Sequence, residues 1–272
     1  MYVTAHEKRI ITSLAKPTLA KGELMCSRCY TSESKQTPRM PRRFMLHLSV
    51  ASLIGLTLGK AAAAKDTESP PPPKPQNVLS PEAALRRLLA GNTRYVRGSS
   101  GPHDFKHERE ALAAGQNPFA AVLGCADSRI APEYAFDTAR GDLFVCRVAG
   151  NFASEECIAS LEYAVSVLAT PLILVLGHDA CGAVDATIKS LKDGTTLPGL
   201  LPSLVNAIAP SVKAVSTQAG NPLDNAIRQN VIDNVAKLKS TAPILDVAVE
   251  QQKLKVVGGI YRLRDGRVEM VA

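Results

Sequence analysis

Apolar residues along this chain follow two different rhythms. Three short runs, Phe119–Leu123, Leu143–Val148 and Pro171–Leu176, are dominated by Val, Ile, Leu, Phe and Ala. They lack the in-and-out alternation of a strand with one wet face, and so predict strands buried on both sides, as in a parallel sheet. Elsewhere the apolar positions recur at helical intervals. Leu85, Leu88, Leu89 and Tyr95-Val96 follow Ser80-Pro81-Glu82, which supplies an N-cap, a proline at the first helical position and an early acid. Similar spacing predicts helices over Ser154–Thr170, Gly182–Leu191, Leu200–Gln218 and Leu223–Lys239. Leu254–Tyr261 reads as a last strand, and Asp265-Gly266 as the turn of a hairpin into Arg267–Val271. Strands alternating with helices predict an α/β domain with a mostly parallel central sheet flanked by helices and an N-terminal helical arm.

Ahead of Ser80 the pattern changes. Arg42-Arg43 precede an apolar stretch from Phe44 to Gly59, and Ala61–Ala64 follow, which is the order of a signal peptide. The stretch is short for a membrane span and contains His47, so no stable span is expected once the leader is removed. Adjacent arginines followed by Phe44 match the twin-arginine export route. The expected mature protein begins near Ala64–Lys65 and lies outside the cytoplasm, in a periplasm or thylakoid lumen. Read from Met40, the segment is a conventional signal-peptide start, which leaves Cys26 and Cys29 upstream of it and without partner ligands. Pro70–Pro73 and Pro75 form an extended tether unable to pack a core. The expected division is a leader at 1–64, a Pro-rich linker at 65–79 and a folded domain at 80–272.

Charge changes the picture only until it is divided. The formal net charge of +7 invites a nucleic-acid reading, but residues 1–64 hold 10 of the 32 Lys+Arg and 3 of the 25 Asp+Glu, leaving 22 of each sign in residues 65–272. A domain with no basic surplus has nothing to draw phosphates, so no nucleic-acid partner is expected. Hydrophobic residues make up 46% of the chain, ample for a buried core and too many for a disordered one.

In open α/β sheets sites form at the carboxyl ends of strands. Two strand ends here carry metal-type ligands: Cys125-Ala126-Asp127-Ser128-Arg129 after the first run, and His178-Asp179-Ala180-Cys181-Gly182 after the third. Cys125, His178 and Cys181 make a two-thiolate, one-imidazole set, which favours Zn2+ and leaves a fourth tetrahedral position open for chemistry. Cys181 stands where a helix begins, and the positive helix end is expected to favour its thiolate. His103 and His107 share helical spacing but have no third ligand. Asp127 lies two residues past a ligand, with Arg129 two further on and placed to hold it in a bidentate pair.

At these residues the chain closely resembles the beta-class carbonic anhydrases, from about Ser80 to Val271. Cys125 to Arg129 matches the family's C-x-D-S-R, and His178 to Gly182 its H-x-x-C-G. The segments SPEAALRRLLAGN, PFAAVLGCADSR, GDLFVCRVAGN, SLEYAV and PLILVLGHDACGAV look like family segments in family order. The resemblance implies the family's fold, zinc on Cys125, His178 and Cys181, and Asp127 and Arg129 as a catalytic dyad. It implies reversible hydration of CO2 to bicarbonate and a proton by zinc-bound hydroxide, and a homodimer or homotetramer. In some members the Asp takes the fourth zinc position in a resting form, and bicarbonate binds a regulatory pocket that includes a Trp; this chain has Asp127 but no Trp. Asp179 stands where Ser is common and is expected to bring negative charge near the metal, while Cys146 and Cys157 read as small core residues able to pair under oxidising conditions. Two other functions fit the same motifs: hydrolysis of carbonyl sulfide or carbon disulfide, and a catalytically silent zinc-binding partner protein.

Overall fold

Burial on both faces is what an unalternating apolar run requires, and a layered α/β sandwich provides it for two of the three runs, while Leu143–Arg147 lies at the sheet edge and stays largely half-buried. The computed structural model describes residues 78–272. The leader, with Cys26, Cys29, Met40 and the arginine pair, and nearly all of the Pro-rich linker lie outside the described residues. The elements are α1 (Pro81–Val96), α2 (Phe105–Leu112), β1 (Ala120–Gly124), α3 (Pro132–Ala135), β2 (Leu143–Arg147), α4 (Glu155–Ser166), β3 (Leu172–His178), α5 (Gly182–Asp193), α6 (Leu201–Ala214), α7 (Pro222–Lys239), α8 (Leu245–Glu250), β4 (Lys255–Tyr261) and β5 (Val268–Met270). The sheet runs β2-β1-β3-β4-β5; the first four strands are parallel, and β5 is antiparallel to β4.

Side chains alternate across β1 and β3, and each parity finds its own helical layer. Ala121, Leu123, Ile173 and Val175 pack with Leu161 of α4, Val184 of α5, Ile208 of α6, Val231 of α7 and Leu245 of α8. Ala120, Val122, Leu172, Leu174 and Leu176 pack with Ala84 and Leu88 of α1 and with Ala135 and Phe136 at α3. Every residue of β1 and β3 is buried, so neither strand has a wet face to advertise by alternation.

The first helix is clasped to the last hairpin. Ser80 caps α1 by accepting the Ala83 N–H at 3.3 Å. Buried Asn92 donates to the carbonyls of Ala135 and Gly266 at 2.9 and 2.8 Å and accepts the Val268 N–H at 2.9 Å. Tyr95 and Tyr261 share a hydroxyl hydrogen bond of 3.1 Å. Gly266 has φ +75°, and a Cβ there would stand 2.6 Å from the Tyr95 ring, so this turn needs glycine on both counts.

Two predicted helices prove shorter. The one from Ser154 ends at Ser166, because Ala169 turns left-handed (φ 54°) and Thr170 precedes a proline. The one from Leu200 ends at Ala214 rather than Gln218. The short helices α2, α3 and α8 carry too few periodic apolar positions to declare themselves. No helix among the described residues is long and apolar enough to cross a membrane.

Candidate metal centre

The loops leaving β1 and β3 part in opposite directions, toward β2 and toward β4, which opens a crevice between these adjacent strands at their carboxyl ends. Gly124 pairs with Leu176, so Cys125 follows β1 level with the end of β3, where His178 is the last strand residue. Ala180, with φ 51°, tightens the turn that brings Cys181 to the N-cap of α5. Cys125, His178 and Cys181 are all buried, and their ligand atoms lie within 4.8 Å of one another, the group among the described residues that could hold a metal ion.

His178 is fully buried, and the contact of its Nδ1 with the Asp179 carbonyl at 2.8 Å turns Nε2 toward the thiols. Nε2 has no hydrogen-bond partner, although it is buried. An orphaned, strongly polar atom buried beside two thiols fits a metal ligand, since burial without a partner is otherwise unfavourable. The Gly150 N–H donates to Cys125 Sγ at 3.3 Å. Gly150 has φ +86°, and a Cβ there would meet Ile208 at 2.5 Å, so only glycine brings this N–H so close.

The two thiols share their protons unequally. Cys181 chiefly, with help from His178 and the Gly150 N–H, lowers Cys125 against the cost of burial. Cys181 is pushed up, chiefly by donating to Cys125 and by burial. As its place at the start of α5 predicts, the Ala183 and Val184 N–H groups favour the Cys181 thiolate, but the bond to Cys125 and burial outweigh them. Burial works against a charged His178, yet the Cys125 thiolate, the Asp179 carbonyl and Asp127 together raise it.

Asp127 stands at the rim, its Oδ2 3.9 Å from His178 Nε2. Arg129 Nε and Nη2 donate to its two oxygens at 2.9 and 2.7 Å, and the Arg129 backbone N–H adds a third bond at 2.9 Å. This grip holds the carboxyl well below the usual carboxylate range. The residues that spacing singled out therefore converge. Sequence reasoning missed Arg147, which reaches from the end of β2 to the carbonyls of Cys125 (2.9 Å) and Asp127 (2.6 Å) and fixes the turn carrying both. Its signal was a charged residue closing an apolar run. The Asp179 carboxylate accepts the Leu263 N–H at 2.9 Å. His103 pairs with Glu108 at 3.5 Å and has no part in the centre. Cys146 and Cys157 are free and half-buried, and burial, then the nearness of Cys157, pushes Cys146 up to about 11.

With that geometry established, comparison with known proteins is decisive. A family model described as Carbonic anhydrase matches residues 120–268. The chain belongs to the beta-class carbonic anhydrase family. Carbonic anhydrase 2 of Mycobacterium tuberculosis is 41% identical over 189 residues, 69% of this chain and 91% of that protein. The carbonic anhydrase of Mycolicibacterium smegmatis is 38% identical over 192 residues, 70% and 93% of the two chains. Among solved structures, the beta-carbonic anhydrase CcaA superposes with a TM-score of 0.55 at 27% identity, covering 69% of this chain and 91% of that one. The Coccomyxa beta-carbonic anhydrase in complex with acetazolamide gives 0.52 at 26%, covering 69% and 81%. The chain is accordingly a carbonic anhydrase-type enzyme with the family's α/β fold.

Proposed function

We propose that this carbonic anhydrase interconverts CO2 and bicarbonate with zinc held by Cys125, His178 and Cys181. The observation that carries the reading is the Asp127 carboxylate, gripped at both oxygens by Arg129 and 3.9 Å from the orphaned Nε2 of His178. Zinc on such a ligand set supplies a Lewis acid that makes water acidic near neutral pH. Asp127 Oδ2 accepts a hydrogen bond from the attacking water and aims its lone pair at the carbon of CO2. Because Arg129 keeps Asp127 ionised, the carboxylate orients the water instead of storing its proton. Arg147 and the Gly150 N–H hold the two ends of the Cys125 turn, so this geometry is set before substrate arrives.

The same reading makes the enzyme a homodimer or homotetramer: β2 is an edge strand whose residues Leu143 to Cys146 are half-buried, and Tyr163 beside Phe144 is exposed. It is also read as exported through the Arg42-Arg43 leader, crossing with its two thiols capped by metal and safe from oxidation. Stopped-flow measurement of CO2 hydration by the purified, zinc-loaded protein tests the function. Turnover above the buffer rate, abolished by a zinc chelator, is expected; a rate equal to buffer alone in protein with one zinc per chain overturns it.

A further inference from the structure

His178 is presented by a turn that is not self-supporting. Ala180 within it holds a left-handed φ of 51°, an unfavourable conformation for a residue with a Cβ. Arg129 Nη2 reaches the Ala180 carbonyl at 3.4 Å, and the closer ties come from Asp179. Its backbone N–H donates to the Tyr261 carbonyl at 3.2 Å, at the end of β4. Its Oδ1 accepts the Leu263 N–H at 2.9 Å, from a residue 84 positions along the chain. Its own carbonyl then faces His178 Nδ1 at 2.8 Å. With Asp224, Arg228 and Arg262 its side chain lines a small polar cavity of about 130 Å³.

A metal-ligating imidazole is aimed by whatever its second nitrogen touches. Here that partner is a backbone carbonyl, and a carbonyl is only as fixed as the peptide that bears it. The carboxylate of the same residue ties that peptide to the β4–β5 hairpin, a second element of the sheet. We propose that Asp179 is a positioning residue for His178: the Asp179–Leu263 hydrogen bond fixes the carbonyl that orients the imidazole toward Cys125 and Cys181. This rests on the zinc reading above and adds to it a residue outside the ligand set and the dyad.

The test measures metal affinity, not turnover. The full chain, Asp179→Asn and Asp179→Ala are titrated with Zn2+ against a chromophoric chelator, and their Co2+ forms are compared by visible absorption. Asparagine keeps an acceptor of the same shape, and its affinity and cobalt bands should stay close to the parent's. Alanine removes the acceptor, and its affinity should fall about 10- to 100-fold with shifted cobalt bands. An alanine variant matching the parent in both overturns the proposal. So does an asparagine variant that falls as far as alanine, because charge and not the hydrogen bond would then be at work. If Asp179→Ala does not fold, Asp179→Ser replaces it: its shorter acceptor should weaken binding about tenfold, and parental binding overturns the idea. A parent chain that binds no metal overturns the zinc reading itself, and is told apart because it appears before any substitution.

Discussion

Arg129 and Asp127 form a closed fork: two side-chain bonds of 2.9 and 2.7 Å and a backbone bond of 2.9 Å leave the carboxylate a single orientation. Two residues apart in sequence, they make a rigid unit whose open side faces His178.

Asp127→Asn should therefore keep the metal and lose turnover. The amide presents a donor where the carboxylate presents an acceptor, and Arg129 loses its ionic partner. Metal content by atomic absorption together with stopped-flow rates checks this; parental turnover would reduce Asp127 to a structural role.

Cys181→Ser should lose both. A hydroxyl is a far poorer ligand than a thiolate, and Cys125 loses the thiol that does most to stabilise its charge. Expected outcomes are less than one zinc per chain after dialysis and activity near background. Full metal content with full turnover would remove Cys181 from the ligand set.

Asn92→Ala should destabilise the fold without touching the centre. It leaves the Val268 N–H and the carbonyls of Ala135 and Gly266 without their side-chain partner in a buried place. The loss should be about 2–3 kcal/mol, read as a lower urea midpoint at an unchanged slope, with zinc affinity preserved in the folded protein.

Arg42→Lys combined with Arg43→Lys should strand zinc-loaded precursor in the cytoplasm. Cell fractionation with N-terminal sequencing checks it. Wild-type chain found uncleaved in the cytosol would end the export reading.

The strands and the metal cluster were legible for one physical reason: in a parallel sheet, burial writes continuous apolar runs and the chemistry is placed where the runs stop. Cys125 and His178 declare themselves by closing such runs. The proton balance between Cys125 and Cys181 was not legible, since it depends on which sulfur receives the hydrogen bonds, a matter of angstroms and not of spacing. Arg147 and Gly150 were missed because their contacts cross from β2 to the end of β1, over 22 and 25 residues. The direction of Asp179 depends on a hairpin 84 residues away. Short helices such as α3 escape because four residues cannot display a period.

The clasp between Asn92 and Val268 also has a consequence in time. Its two halves are separated by 176 residues, so at roughly 5–20 residues per second a ribosome makes the first helix about 9–35 s before its last fastening. Throughout that interval Leu88 and its neighbours have no finished sheet to cover. Until the hairpin exists, that apolar face stays open to proteases and to sticking, and it closes only once Val268 has been made.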